Sequence, residues 1–196
     1  MLALVVGAGS VAFAADAHAV SRERAVCRRD RARLSTVLAS LSRAYFAQIA
    51  EAQGMAAASS AGTLATQPSA ALDAVAGRLP GAESAVLTAR SGAVLGATAD
   101  AGPLLARLPR IVGSARSMLA AGGLGVSPIV DVAGSPSVVV VVPAGASGLL
   151  AVGYQLQGMA IARYGRATAV GPGAASRVLD ATGRVLSSPD RAELGR

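Results

Sequence analysis

The chain has 196 residues, room for one domain of ordinary size or slightly more. Its 18 basic residues, all Arg, outnumber 11 acidic ones for a net charge of +7, and 53% hydrophobic against 3% aromatic content excludes both ordinary disorder and a base-stacking nucleic-acid platform. One Cys (Cys27) excludes an intrachain disulfide framework and a Cys-based zinc site, and one His (His18) leaves little room for metal clusters or Ser/His/Asp chemistry.

Residues 2–15 carry no charge, and Asp16 and His18 follow. As a helix at ~1.5 Å per residue, the first 19 residues reach about 28 Å, near the thickness of a bilayer's hydrocarbon core. Residues 1–20 are therefore expected to be a membrane-spanning or signal segment. Ala17-His18-Ala19 has the form of a signal-peptide cleavage site, although no Arg or Lys precedes the apolar run. A different reading makes residues 2–6 a buried strand of a soluble enzyme. Gly7, Gly9 and Ala12 then fit the G-x-G-x-x-A turn that brings backbone amides to a pyrophosphate, the mark of an NAD(P)-binding oxidoreductase. That fold needs a second buried strand downstream, and the chain offers SRERAVCRRDRAR instead.

Arg22, Arg24, Arg28, Arg29, Arg31 and Arg33 stand against Glu23 and Asp30, so most of the net charge sits beside the apolar segment. A solvated helix turn or contact with lipid headgroups explains this cluster without a nucleic-acid partner. By the positive-inside tendency it places the following domain in the cytoplasm. Cys27, beside Arg28 and Arg29, is a candidate for a thiol of lowered pKa or for lipidation. From Leu34 the apolar residues Leu38, Leu41, Tyr45, Ile49, Ala52 and Met55 recur at steps of three and four. The spacing predicts one long helix over about 20–58, whose stripe packs on a domain or pairs two copies of the chain.

Residues 59–63 are expected as a loop, and 68–79 as a helix opened by Pro68 and stopped by Pro80-Gly81. Residues 84–88 and 93–97 read as two strands around the turn Arg90-Ser91-Gly92. Short helices follow at 100–108 and 111–121, then strands at 125–132, 137–142 and 148–156. The five-Val run 138–142 suits a strand buried on both faces. This order predicts an α+β domain with an antiparallel five-stranded sheet and helices on one side. Val86 to Leu95 is echoed by Val178 to Leu186, with Gly92 and Gly183 at matching turns. The echo predicts either the start of a second, similar module or a hairpin that docks on the first domain.

The stretches "ARSGAVLGATAD", "GLGVSPIVDVAGSPSVVVVVPA", "GLLAVGYQL" and "VLDATGRVLSSPDRAELGR", behind a membrane helix and a long helix, resemble the double Cache (PAS-like) sensor domains of bacterial transmembrane signalling proteins. The resemblance covers about residues 20–196. It implies a membrane or signal segment at 1–20, a juxtamembrane helix at 21–60, a PAS-like module at 61–160 and the opening of a second, incomplete module at 161–196. It further implies an extracytoplasmic small-molecule sensor of a histidine kinase, diguanylate cyclase or chemoreceptor, with no catalytic activity and no cofactor of its own, anchored in the membrane in a single pass. A ligand would close the distal pocket and bias the long helix. The chain has no Trp, and Tyr154-Gln155 stands where the amino-acid-binding members carry an Asp, so amino-acid binding is not carried over.

Ligand-binding candidates are the polar residues among the helices and central strands. Arg107, Arg110 and Arg116 suit a carboxylate, which an arginine holds through two parallel hydrogen bonds. Asp131 suits an amine, and Tyr154 and Gln155 suit hydrogen bonds to a ligand. The plainer readings are a solvated helix face for each Arg, a turn residue for Asp131 and half-buried packing for Tyr154. No carboxylate pair is placed for acid–base catalysis. Three other readings stay open: the NAD(P)-binding enzyme, a cytoplasmic PAS-like module, and a fragment without a ligand.

Overall fold

The computed structural model describes residues 3–145, 148–163, 177–180, 182–188 and 190–196, with the side chains of 3–28, 31 and 191 outside the description. Two compact units emerge, Met1–Leu41 and Ser42–Arg196. The first is helical from Ala3, as part of α1 (Ala3–Ser59). Val5 and Val6 are therefore not in a strand, and Gly7 and Gly9 lie within a helix. The strand-and-turn that a dinucleotide site requires is not formed there. Among the described residues no helix is long and apolar enough to cross a membrane. The side chains of the candidate segment 1–20 lie outside those described, as does that of Cys27.

The second unit begins with the C-terminal turns of α1. The expected loop at 59–63 is instead the start of a short helix, α2 (Ala61–Thr66), because Leu64 is drawn into the core. Pro68 opens α3 (Pro68–Arg78) at a position where its missing N–H costs nothing. Then come β1 (Ala82–Ala89), β2 (Val94–Ala97), a 3-10 turn over Ala99–Ala101, α4 (Gly102–Leu105) and α5 (Leu108–Ala120). Gly122, at φ +72°, ends α5 in the left-handed conformation that glycine adopts without strain.

The strand expected over 125–132 is two strands, β3 (Gly125–Val126) and β4 (Val130–Val132). Pro128 cannot donate to a ladder. Ser127 fills the gap: its hydroxyl donates to the Pro128 carbonyl at 2.7 Å and accepts the Val139 N–H at 2.9 Å. A tight turn through Ala133 and Gly134 leads into β5 (Ser135–Ala144), and β6 (Gly148–Gln155) follows. The sheet therefore has six strands, in the order β2-β1-β6-β5-β3 with β4 also on β5, and every pairing is antiparallel.

Helices cover both faces of this sheet, not one. The Val run of β5 divides by strand alternation. Val138, Val140 and Val142 enter a core with Phe46, Ala56, Leu72 and Val75 of α1 and α3. Val139 and Val141 enter a second core with Leu104 of α4 and Leu108, Ile111 and Val112 of α5. The sequence order alone carries no information about which face each helix takes.

The late echo forms a hairpin, β7 (Val178–Leu179) with β8 (Val185–Ser187). It docks on the first core, into which Val185, Leu186 and Leu194 are buried. Docking supplies the apolar partner that a lone hairpin lacks.

Ala133 is the one described non-glycine residue with positive φ, at +50°, beside Gly134 at +79°. Two positive values in a two-residue hairpin loop favour Asn-Gly, since a Cβ is strained there. Ala133→Asn is expected to stabilise the domain by about 1 kcal/mol, read as a higher midpoint in urea unfolding. An unchanged or lower midpoint would contradict this turn geometry.

Candidate functional site

On the α1 face the central feature is a buried amide. The buried positions of the second unit's part of α1 are Phe46, Gln53, Ala56 and Ala57, while Met55 is 62% exposed. The stripe read from apolar residues alone therefore drifts off the true face near its end, where a polar residue takes the core position. The Gln53 side chain is fully buried and donates to the Val140 carbonyl of β5 at 3.1 Å and the Leu150 carbonyl of β6 at 2.9 Å. Its Oε1 accepts the Tyr154 hydroxyl at 3.4 Å. Tyr154 is thus committed to the core. Burial, with a smaller effect of the nearby Tyr45, pushes its phenol well above the usual tyrosine range. The Tyr45 hydroxyl in turn accepts the Ala160 N–H at 3.1 Å. Its ring meets Phe46 edge-on at 5.6 Å.

On the opposite face, α5 and the β1–β2 turn enclose a cleft of about 210 Å³ lined by Ser91, Gly92, Leu108, Pro109, Val112, Gly113 and Arg116. Arg116 sits there with Nε and Nη2 buried and without a hydrogen-bond partner. Each unsatisfied buried donor costs about 1–3 kcal/mol, so an arginine held this way is a place where a ligand repays an existing deficit. Gly92, at φ +98°, closes over it, and a Cβ built there would stand 3.4 Å from Nη2. Arg107 and Arg110 are exposed, so one arginine of the three candidates reaches the cleft.

Asp131 and Gln155 lie at another place, where the late hairpin docks. Asp131 pairs with Arg184 at 3.0 Å, and Gln155 donates to the Ser135 hydroxyl at 3.0 Å. Arg184 also donates to the carbonyls of Ile129 at 2.9 Å and Gly195 at 2.6 Å. From the hairpin turn, Asp180 accepts the Ile129 N–H at 2.7 Å, the Arg184 N–H at 2.9 Å, and the Thr182 N–H and hydroxyl at 2.8 and 2.7 Å. Burial alone would raise its pKa, but these hydrogen bonds outweigh burial and hold the carboxyl below its ordinary value. Near the C-terminus, Arg177 and Ser188 hold the Glu193 carboxyl down at about 2.

Four of the six candidates are thus distributed over three places, a core network, a cleft and a docking seam, and Arg107 and Arg110 are exposed outside them. The sequence reading missed Gln53, whose only signal is a polar residue inside a helical apolar stripe. It also missed that the turn Ser91-Gly92 belongs to the Arg116 cleft. No protein-family model, no curated protein and no solved structure matches this chain.

Gln53→Leu is expected to destabilise the domain by about 1–3 kcal/mol and Tyr154→Phe by about 0.5–1.5 kcal/mol. Because Tyr154 stays protonated to higher pH in the fold, its contribution is intact below about pH 10, the unfolded tyrosine value, and falls as pH rises beyond it. Spectrophotometric titration should show this phenol ionising only with unfolding.

Asp180 and Glu193 carry the opposite sign. The docking bond of Asp180 to Ile129, and the tie of Glu193 to Arg177 and Ser188 within the late segment, contribute above pH ~4, the ordinary carboxyl range, and are lost as pH falls through the lowered folded values. Protection of the amides over residues 178–187, relative to their intrinsic exchange rates at each pH, should fall on acidification, and in Asp180→Asn it should be low already at pH 7. Protection that holds unchanged from pH 7 to pH 2 would refute the seam.

Proposed function

We propose that this chain is the small-molecule sensing module of a membrane signal transducer of the histidine kinase, diguanylate cyclase or chemoreceptor type, with its sheet domain outside the cytoplasm in a PAS-like Cache arrangement. The observation that carries this reading is a pairing across one sheet: a cleft on the α5 face and, on the other face, a long helix keyed to the central strands by Gln53. A ligand that binds one state of the cleft better than another shifts the population of sheet conformations. The Gln53 amide, bonded to β5 and β6, carries that shift to α1. The wholly antiparallel sheet, with β1 and β6 adjacent at its centre and helices on both faces, supports the same reading.

Two copies pairing through the long helix fit this scheme, since Val37 and Leu41, one turn apart, are 51% and 44% exposed. A second placement, with the domain in the cytoplasm, is favoured by the Arg22–Arg33 cluster. Protease added to spheroplasts decides between the two. Digestion of the sheet domain from outside supports the sensor's extracytoplasmic placement, and full protection supports the cytoplasmic one.

The sensing function is tested by melting the purified full chain against short carboxylates, amines and purines. A ligand at 100 times its Kd adds about 2.7 kcal/mol, and amide exchange over residues 42–59 should change with it. A panel that moves neither the melt nor that exchange would remove the basis for a sensor.

A further inference from the structure

Deepening the sensing function proposed above, and resting on it, we infer that the α5 cleft is a site for a small aliphatic monocarboxylate, bound by the side-on edge of Arg116. Nε and Nη2 are the two donors on one edge of a guanidinium, parallel and spaced for the two oxygens of a carboxylate. They are also the two Arg116 nitrogens that are buried without a partner. The remaining walls fix the rest of the ligand. Leu108, Pro109 and Val112 are apolar, Ser91 adds one hydroxyl, and none of the described residues lining the cleft is acidic. A single cation facing apolar walls balances one negative charge and accepts a short alkyl chain. It offers nothing to the ammonium of an amino acid and too few donors for a phosphate.

The size agrees. A cleft of about 210 Å³ corresponds to roughly seven waters at ~30 Å³ each, room for about six heavy atoms.

Access is built into the sheet edge. The paired nitrogens lie under Gly92, so the carboxylate reaches them when the turn Arg90-Ser91-Gly92 lifts. That turn is pinned by the Ala89 N–H on the Ala93 carbonyl at 2.8 Å and the Gly92 N–H on the Ala89 carbonyl at 2.9 Å. It leads into β2, a four-residue edge strand whose Val94 and Leu95 are half exposed. The turn therefore moves without breaking the β1–β6–β5 centre.

The test is a thermal melt of the full chain with butyrate, butylamine, inorganic phosphate and a purine, together with amide exchange at residues 89–93. Saturating butyrate should raise the melting temperature by about 5 °C or more and change exchange in the turn. Arg116→Met should weaken butyrate at least ~10-fold, whereas the exposed Arg163→Gln should leave it unchanged. Should Arg116→Met fail to fold, Gly113→Leu serves in its place. A Cβ at Gly113 meets nothing within 4 Å, so the added chain fills the cleft without disturbing the core, and butyrate binding should be lost. Butyrate that is silent, or equally effective on both variants, overturns the inference. If butyrate is silent while butylamine, phosphate or the purine shifts the melt, the carboxylate assignment fails and the sensing function stands. If nothing shifts it, both fail.

Discussion

Within the second unit, the register of α1 on the sheet depends on one side chain, Gln53. An amide in an apolar core costs several kcal/mol unless its hydrogen bonds are made, and here they are made to two adjacent strands at once. Val140 and Leu150 belong to β5 and β6, the longest pairing in the sheet. A helix offset by one residue turns its side chains by about 100° and would strand that amide among valines. Apolar contacts alone tolerate sliding and repacking. The polar key selects one register, and Tyr154 completes it from the strand side.

That register lets the two faces of the sheet do different work. On the α1 face the buried amide of Gln53 and the Tyr154 hydroxyl are paired. The α5 face holds a cleft whose arginine is short of two hydrogen bonds. The strands between them are the same strands: Val140 faces Gln53's core while Val139 and Val141 face α5's. A change on one face is thus one backbone away from the other. Under the sensing function proposed above, the edge turn over Arg116 is the two-state element that such coupling needs.

The late hairpin is secured differently, by charge and backbone. Asp180 and Arg184 reach the segment between β3 and β4, where Pro128 interrupts the ladder and leaves the Ile129 N–H and carbonyl without strand partners. The hairpin supplies both. A break that would otherwise expose backbone groups becomes the seat for the chain's C-terminal segment, and the same contacts explain why docking depends on ionised carboxylates.

Local chemistry in the sequence placed most of the elements, though not the short helix α2 or the break between β3 and β4. Pro68, the Arg90-Ser91-Gly92 turn and the Val run each act within a few residues, so most strands and helices and their antiparallel order were legible from them. Arg116 was legible as a ligand candidate by residue type, but not distinguishable from Arg107 and Arg110, because all three lie within ten positions at or in α5 and only packing shows which is buried. Tertiary structure decided what depends on residues far apart in the chain. It set helices on both faces, split the strand at Pro128, spent Tyr154 on Gln53 across 101 positions and Asp131 on Arg184 across 53. A buried polar group is identified by its partner, and neither partner lies within reach of any local pattern.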